Sequence, residues 1–214
     1  MAQKRLTRKE RQAHTRARLM RSAATVAARR GLERASLDEV AEDAGFTKGA
    51  VYANFRSKED LFLAILDERF AERVEELDRV LAGGGTPEEQ ARRAASDFMR
   101  AIEANPEWER LFFEFALYAS RNEAFRKELV RRYRGLRTRI ADLLARRAAE
   151  LGIEPAVPPE QVAAMTFAMA NGIALERLLE PEAVSDDLAP TMMATFFTGL
   201  RARAGSHPQA ARRG

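Results

Sequence analysis

Cysteine is absent from this 214-residue chain, and histidine occurs only twice. Disulfides, thiolate zinc sites and cysteine nucleophiles are thereby excluded, and the composition fits a reducing compartment. His14 and His207 lie in polar, basic terminal stretches. No internal imidazole is therefore available as a general base or metal ligand, which removes most hydrolase triads and histidine-metal sites. The residues suggest no metal set and no cofactor. Long apolar runs are missing too. The longest uncharged stretch, Gln161 to Leu175, is too short for a bilayer span, and no apolar signal region follows the basic N-terminus. The expectation is a soluble, cytoplasmic protein with no membrane partner.

What is present is ordinary apolar content and lopsided charge. At 24.0 kDa and 46% hydrophobic residues, the chain suits one or two small domains with a sizeable core. Its net charge of +4 conceals an asymmetry: residues 1–58 hold 14 Lys/Arg against 6 Asp/Glu, and the remainder 22 against 26. A basic head on an acidic body points to a polyanion at one end, or else to a solvated basic tail. Arginine outnumbers lysine 31 to 5 along the whole chain, which reads as codon bias rather than as a binding feature.

Apolar residues recur at helical spacing, and no period-two run appears. Ser36-Leu37-Asp38-Glu39 and Thr86-Pro87-Glu88-Glu89 fit capping boxes, Asn105-Pro106 fits an N-cap with proline at the first helical position, and Ser57 precedes acids in a first turn. The spacing predicts an all-α protein of about nine helices, roughly 10–30, 37–44, 48–54, 58–82, 87–104, 106–119, 122–151, 159–179 and 187–204. The predicted organisation is a basic, disordered arm over 1–11, a small three-helix head over 12–58, a helical body over 59–204, and a disordered tail over 205–214.

The head carries the sharpest pattern. Leu37, Val40, Ala41 and Ala44 form one apolar face of a two-turn helix, Gly45 stands where helices commonly stop in a left-handed conformation, and a second short helix opens at Thr47-Lys48-Gly49. Helix, glycine turn, short helix is a helix-turn-helix pattern, whose second helix enters the major groove. Gly49, Ala50 and Ala53 carry little bulk, so the backbone can approach the groove floor. Thr47 and Lys48 lie where free amides favour a phosphate, and Lys48 is long enough to reach a guanine edge. Val51 and Phe55 read as core. Lys4, Arg5, Arg8, Lys9 and Arg11 of the arm either follow the DNA backbone or minor groove, or add only nonspecific charge.

The run from Ser36 to Leu61, with Thr47-Lys48-Gly49-Ala50-Val51-Tyr52, then Phe55, then Ser57-Lys58-Glu59-Asp60-Leu61, closely resembles the DNA-binding domain of the tetracycline-repressor-like (TetR) family. The resemblance covers about residues 12–70. It implies a helix-turn-helix head at about 37–56 on a C-terminal helical domain for ligand binding and dimerisation. It also implies a homodimeric, sequence-specific repressor that a small, largely apolar effector releases from operator DNA. Tyr52 and Asn54 match positions that touch phosphates in the family, although histidine or tyrosine often stands where Asn54 does. Ser36 and Lys58 match residues that clamp the flanking DNA backbone, while capping is the local reading for Ser36.

In the body, Gln161–Leu175 and Leu188–Leu200 carry no charge, so each must be covered on more than one side. The family's last two long helices form a four-helix bundle across a two-fold axis. On that basis Ala164, Ala168, Gly172, Leu175, Met193, Phe197 and Leu200 are candidates for a dimer seam. Phe98, Trp108, Phe112, Phe115, Tyr118, Met165, Met169 and Asn171 are candidates for a ligand chamber, or else plain core. The helix near 58–82 would span about 37 Å and link head to body. The open alternatives are a DNA-binding activator, a constitutive repressor without effector and, more distantly, a carboxylate-based enzyme on a helical scaffold.

Overall fold

A computed structural model describes residues 7–205. Among them the chain forms nine α-helices and one short 3-10 helix, with no strand. The α-helices are α1 (Arg8–Arg30), α2 (Leu37–Ala44), α3 (Lys48–Tyr52), α4 (Lys58–Ala82), α5 (Pro87–Ala104), α6 (Pro106–Arg121), α7 (Glu123–Glu150), α8 (Pro159–Leu179) and α9 (Leu188–Gly205). The 3-10 turn at Pro181–Ala183 has no counterpart in the sequence reading.

Two other departures are local. Helix α1 begins inside the stretch expected to be a disordered arm. Thr7 accepts from the Glu10 amide while the Glu10 carboxylate accepts from the Thr7 amide, a capping box that fixes Arg8, Lys9 and Arg11 as helical. Lys4, Arg5 and the tail with His207 lie outside the described residues. Helix α3 ends at Tyr52 rather than at 54, because the Asn54 and Phe55 amides both turn back onto the Val51 carbonyl.

The chain divides into two compact units, one of residues up to Arg69 with Glu107–Val130, the other of Phe70–Pro106 with residues from Arg131 onward. The boundary expected at 58/59 is thus displaced, and α6 joins the head. Apolar packing explains this: Leu61, Phe62 and Leu66 of α4 are buried, and the Phe62 ring meets Phe115 of α6 edge-on at 6.4 Å. The α1 stripe of Leu19, Ala23, Val26 and Ala27 is buried, as are all four apolar positions of α2.

In the second unit α5 packs along α9, with Arg92 paired to Asp187 at 2.6 Å and Arg201 to Glu88 at 3.0 Å. Buried Gln90 donates to the carbonyls of Leu81 and Gly84 and accepts from Arg147, satisfying the turn after α4.

Candidate nucleic-acid interface

The short helix α3 is too brief to be stable alone, so its position depends on what surrounds it. Ser36 and Glu39 cap the start of α2 reciprocally. At the other end Gly45 adopts φ 68°, ψ 33°, and the Phe46 amide reaches back to the Ala41 carbonyl at 2.9 Å. This closure turns the chain within two residues. Val51, wholly buried, is the one core anchor of α3, and Phe55 beyond it is equally enclosed.

Two α1 arginines that sequence reasoning missed complete the frame. Arg16 lies 4.2 Å over the Phe55 ring and donates to the Asn54 carbonyl at 3.0 Å. Arg18 lies 4.6 Å over the Phe46 ring and donates to the Ala44 carbonyl at 2.8 Å. Each guanidinium satisfies a carbonyl at or just past a helix C-terminus while stacking on an aromatic face. Arginines beside the buried α1 stripe were the available hint, but their partners are 26 and 38 residues away.

The structure brings Lys48, Gly49 and Tyr52 onto the exposed side of α3, with Ala53 beside them and Thr47 exposed at the start. The Thr47 hydroxyl caps the Ala50 amide at 3.3 Å. Tyr52 is 57% exposed, which no internal packing requires. A Cβ added at Gly49 would meet nothing closer than the Thr47 hydroxyl at 3.9 Å, so the fold itself does not demand glycine there. The Lys48 ammonium is paired with Asp38 of α2 at 2.5 Å, and the bond and the charge of Asp38 raise its pKa above the ordinary lysine value.

Three residues expected at the same surface are engaged internally. The Ser36 hydroxyl accepts from the Glu39 amide at 3.2 Å and donates to its carboxylate at 3.1 Å. The Asn54 side-chain amide donates one N–H to the Ala50 carbonyl at 2.8 Å, and its Oδ1 is buried and without a hydrogen-bond partner among the described residues. The side chain is thus turned back onto α3. The Lys58 ammonium donates to the carbonyls of Leu32 at 3.3 Å and Glu33 at 2.6 Å and lies 5.7 Å over the Tyr118 ring, pinning α4 to the α1–α2 loop.

Beside this pin, Tyr118 donates its phenol to Glu59 at 2.7 Å. Burial works to raise the Glu59 pKa, but this bond, its own backbone amide and Ser57 together hold it below the usual carboxylate range.

The aromatic candidates fall into both units. In the first, Trp108 lies within 6.2 Å of Phe112 and 6.1 Å of Phe115, and Phe115 contacts Phe125. Phe115 has no exposure at all, so it is core. In the second, Arg73 stacks on Phe98, Tyr133 is wedged between Phe70 and Phe167, and Met169 and Asn171 are half-buried. Met165, expected in a chamber, is 42% exposed instead.

It belongs to a different feature. Met165, Ala168, Gly172, Leu175 and Leu179 are all exposed on one side of α8, with Ala164 half-buried at its margin. By length and composition this 21-residue helix could cross a bilayer, unlike the shorter uncharged run read from sequence, yet only 22% of its apolar window is buried. On α9 the seam candidates Met193, Phe197 and Leu200 are half-buried, on the side that carries buried Ala189 and Pro190. The opposite side exposes Leu188, Thr191, Thr195 and Thr198.

Two family models match the sequence, one for bacterial regulatory proteins of the tetR family over residues 19–65, the other for the C-terminal part of BetI-type transcriptional repressors over residues 87–202. The HTH-type transcriptional regulator YfiR of Bacillus subtilis is 27% identical over 184 residues, which span 83% of this chain and 87% of YfiR. A solved TetR-family regulator from Rhodococcus sp. superposes with a TM-score of 0.74 at 21% identity, over 88% of this chain and 99% of the other. FadR of Bacillus subtilis, solved in complex with stearoyl-CoA, superposes with a TM-score of 0.71 at 14% identity, over 84% and 96%. At these identities the two structures establish a shared fold. The C-terminal model alone spans more than half the chain, and this protein belongs to the TetR family of bacterial transcriptional regulators, which bind DNA through a helix-turn-helix and are not enzymes.

Proposed function

We propose that this chain is a cytoplasmic, homodimeric repressor that reads operator DNA with α3 and leaves it when a small, largely apolar effector binds. The observation that carries the DNA reading is the exposed side of α3. It combines a cation, a tyrosine that packing does not require and a glycine that the fold does not require. Thr47, Lys48, Gly49 and Tyr52 are the contact residues in this reading. Ser36, Asn54 and Lys58 support them by holding α2, α3 and α4 in place.

Dimerisation is supported by the uncovered apolar face of α8. Its flanking Glu176 and Arg177, the latter paired with Glu103 at 2.5 Å, favour a protein partner over lipid. One five-residue helix also reads too few base pairs for genomic selectivity, so two heads are needed. The effector reading draws on the FadR likeness, which makes long-chain acyl-CoA the first ligand to try.

Selection of bound duplexes from a randomised pool tests the reading. The expected product is an inverted repeat with half-site centres one helical turn, about 34–36 Å, apart. Stearoyl-CoA, through its apolar acyl chain, or a wholly apolar ligand should then release it. A pool with no enriched sequence contradicts the proposal.

Gly49→Ala separates fold from function. Removing a helical glycine should leave thermal stability unchanged or raise it by about 0.5–1 kcal/mol. The added methyl at the groove floor should weaken operator binding roughly tenfold, an overpacking penalty of about 1–3 kcal/mol. Melting curves and fluorescence anisotropy on the same protein check both.

A further inference from the structure

Helix α2 carries four acids, Asp38, Glu39, Glu42 and Asp43, and three of them have a basic partner. Glu39 pairs with Arg30 at 3.4 Å and Asp43 with Arg29, both from α1. Asp38 alone reaches across to α3, where its Oδ2 lies 2.5 Å from Lys48 Nζ, with both side chains exposed. Capping does not explain Asp38, because Ser36 and Glu39 already form the box at this helix start. A carboxylate on a surface that approaches phosphates is repelled unless it accepts a hydrogen bond there.

The geometry points to a reading unit. We propose that Asp38 is a specificity-determining residue that works with Lys48 on a single G·C base pair: the ammonium donates to guanine O6 or N7 while the carboxylate accepts from the cytosine N4 amino group. Within the pair, O6 and N4 are hydrogen-bonded to each other at about 2.9 Å and lie side by side on the major-groove edge. An acceptor and a donor 2.5 Å apart on the protein are the complement of that edge. At A·T or C·G the order of donor and acceptor is reversed and both charges lose their partners. T·A keeps the order through thymine O4 and adenine N6 but puts a methyl where guanine has N7, so its exclusion rests on the ammonium also reaching N7. On nonspecific DNA, Asp38 also keeps Lys48 from the phosphates and lowers the background affinity. The inference rests on the DNA-reading role proposed for α3.

The test uses the full-length protein, Asp38→Asn and Lys48→Ala, with two probes: a duplex library randomised at its centre, and a fixed mixed-sequence duplex of about 30 base pairs. Wild type should select a G·C pair at one symmetric position per half-site and lose roughly 5- to 100-fold in affinity when it is changed to A·T. Asp38→Asn should select that pair less sharply, because the neutral carboxamide accepts more weakly from cytosine N4 and its NH2 group can also meet an acceptor there. It should bind the mixed-sequence duplex about three- to tenfold more tightly, with a salt slope steeper by about 0.9 for each head that gains a phosphate contact. Lys48→Ala should lose the same preference without the gain in nonspecific affinity. This second variant keeps the test decisive if Asp38→Asn fails to fold. If either folded variant selects the same sites as wild type with an unchanged slope, the paired reading is wrong while DNA binding through α3 stands. If wild type selects no sequence, the DNA-reading role itself falls.

Discussion

Replacing Leu175 with glutamate is expected to leave the chain helical but monomeric and to lower operator affinity by a hundredfold or more. Leu175 is 39% exposed and Leu179 71%, on the same side of α8 as Met165, Ala168 and Gly172. A stable interface of standard size removes about 800 Å² per partner from water, and only 22% of the apolar stretch of this helix is buried. At a two-fold axis the substitution places two carboxylates in the seam, each losing water without gaining a cation. Losing the partner removes the second head, and with it an effective-concentration gain of about 10²–10⁴. Sedimentation and anisotropy measure the two effects. A dimer that persists with full affinity would move the seam away from α8.

Phe55→Ala should cost about 3–5 kcal/mol, as large-to-small changes of buried phenylalanine do. The ring is 1% exposed and supports the Arg16 guanidinium, whose hydrogen bond to Asn54 closes the end of α3. Losing that support leaves Val51 as the sole anchor of a five-residue helix. Hydrogen exchange should show the amides of α2 and α3 opening together while those of α5, α8 and α9 keep their protection. DNA binding should vanish. Phe55→Leu should recover part of both, because it refills most of the cavity but offers no face for the cation.

Much of this head is legible in the sequence because its determinants are local. The Ser36–Glu39 box, the α2 stripe and Gly45 lie within ten residues, and each does what its spacing implies. The same holds for the Thr86–Glu89 box and for most helix ends.

What was illegible depends on residues brought together from afar. The family likeness points to Lys58 and Asn54 as phosphate contacts, but no local pattern announces that Lys58 also meets the carbonyls of Leu32 and Glu33, or that Asn54 meets Ala50 and Arg16. No periodicity announces that α6 belongs with the head, since that follows from Phe62 meeting Phe115. Helix α8 taught the reverse lesson. A chargeless run says that a helix is covered, but not on which side, so Met165 was expected to face a chamber when it lies on the open face.

The central claim is that two α3 helices dock on duplex DNA through charge as well as shape. The measurement that tests it most directly is the salt dependence of binding to the selected duplex. If two heads together neutralise about eight phosphates, the logarithm of affinity should fall against the logarithm of salt concentration with a slope near −7. A slope indistinguishable from zero would contradict the account.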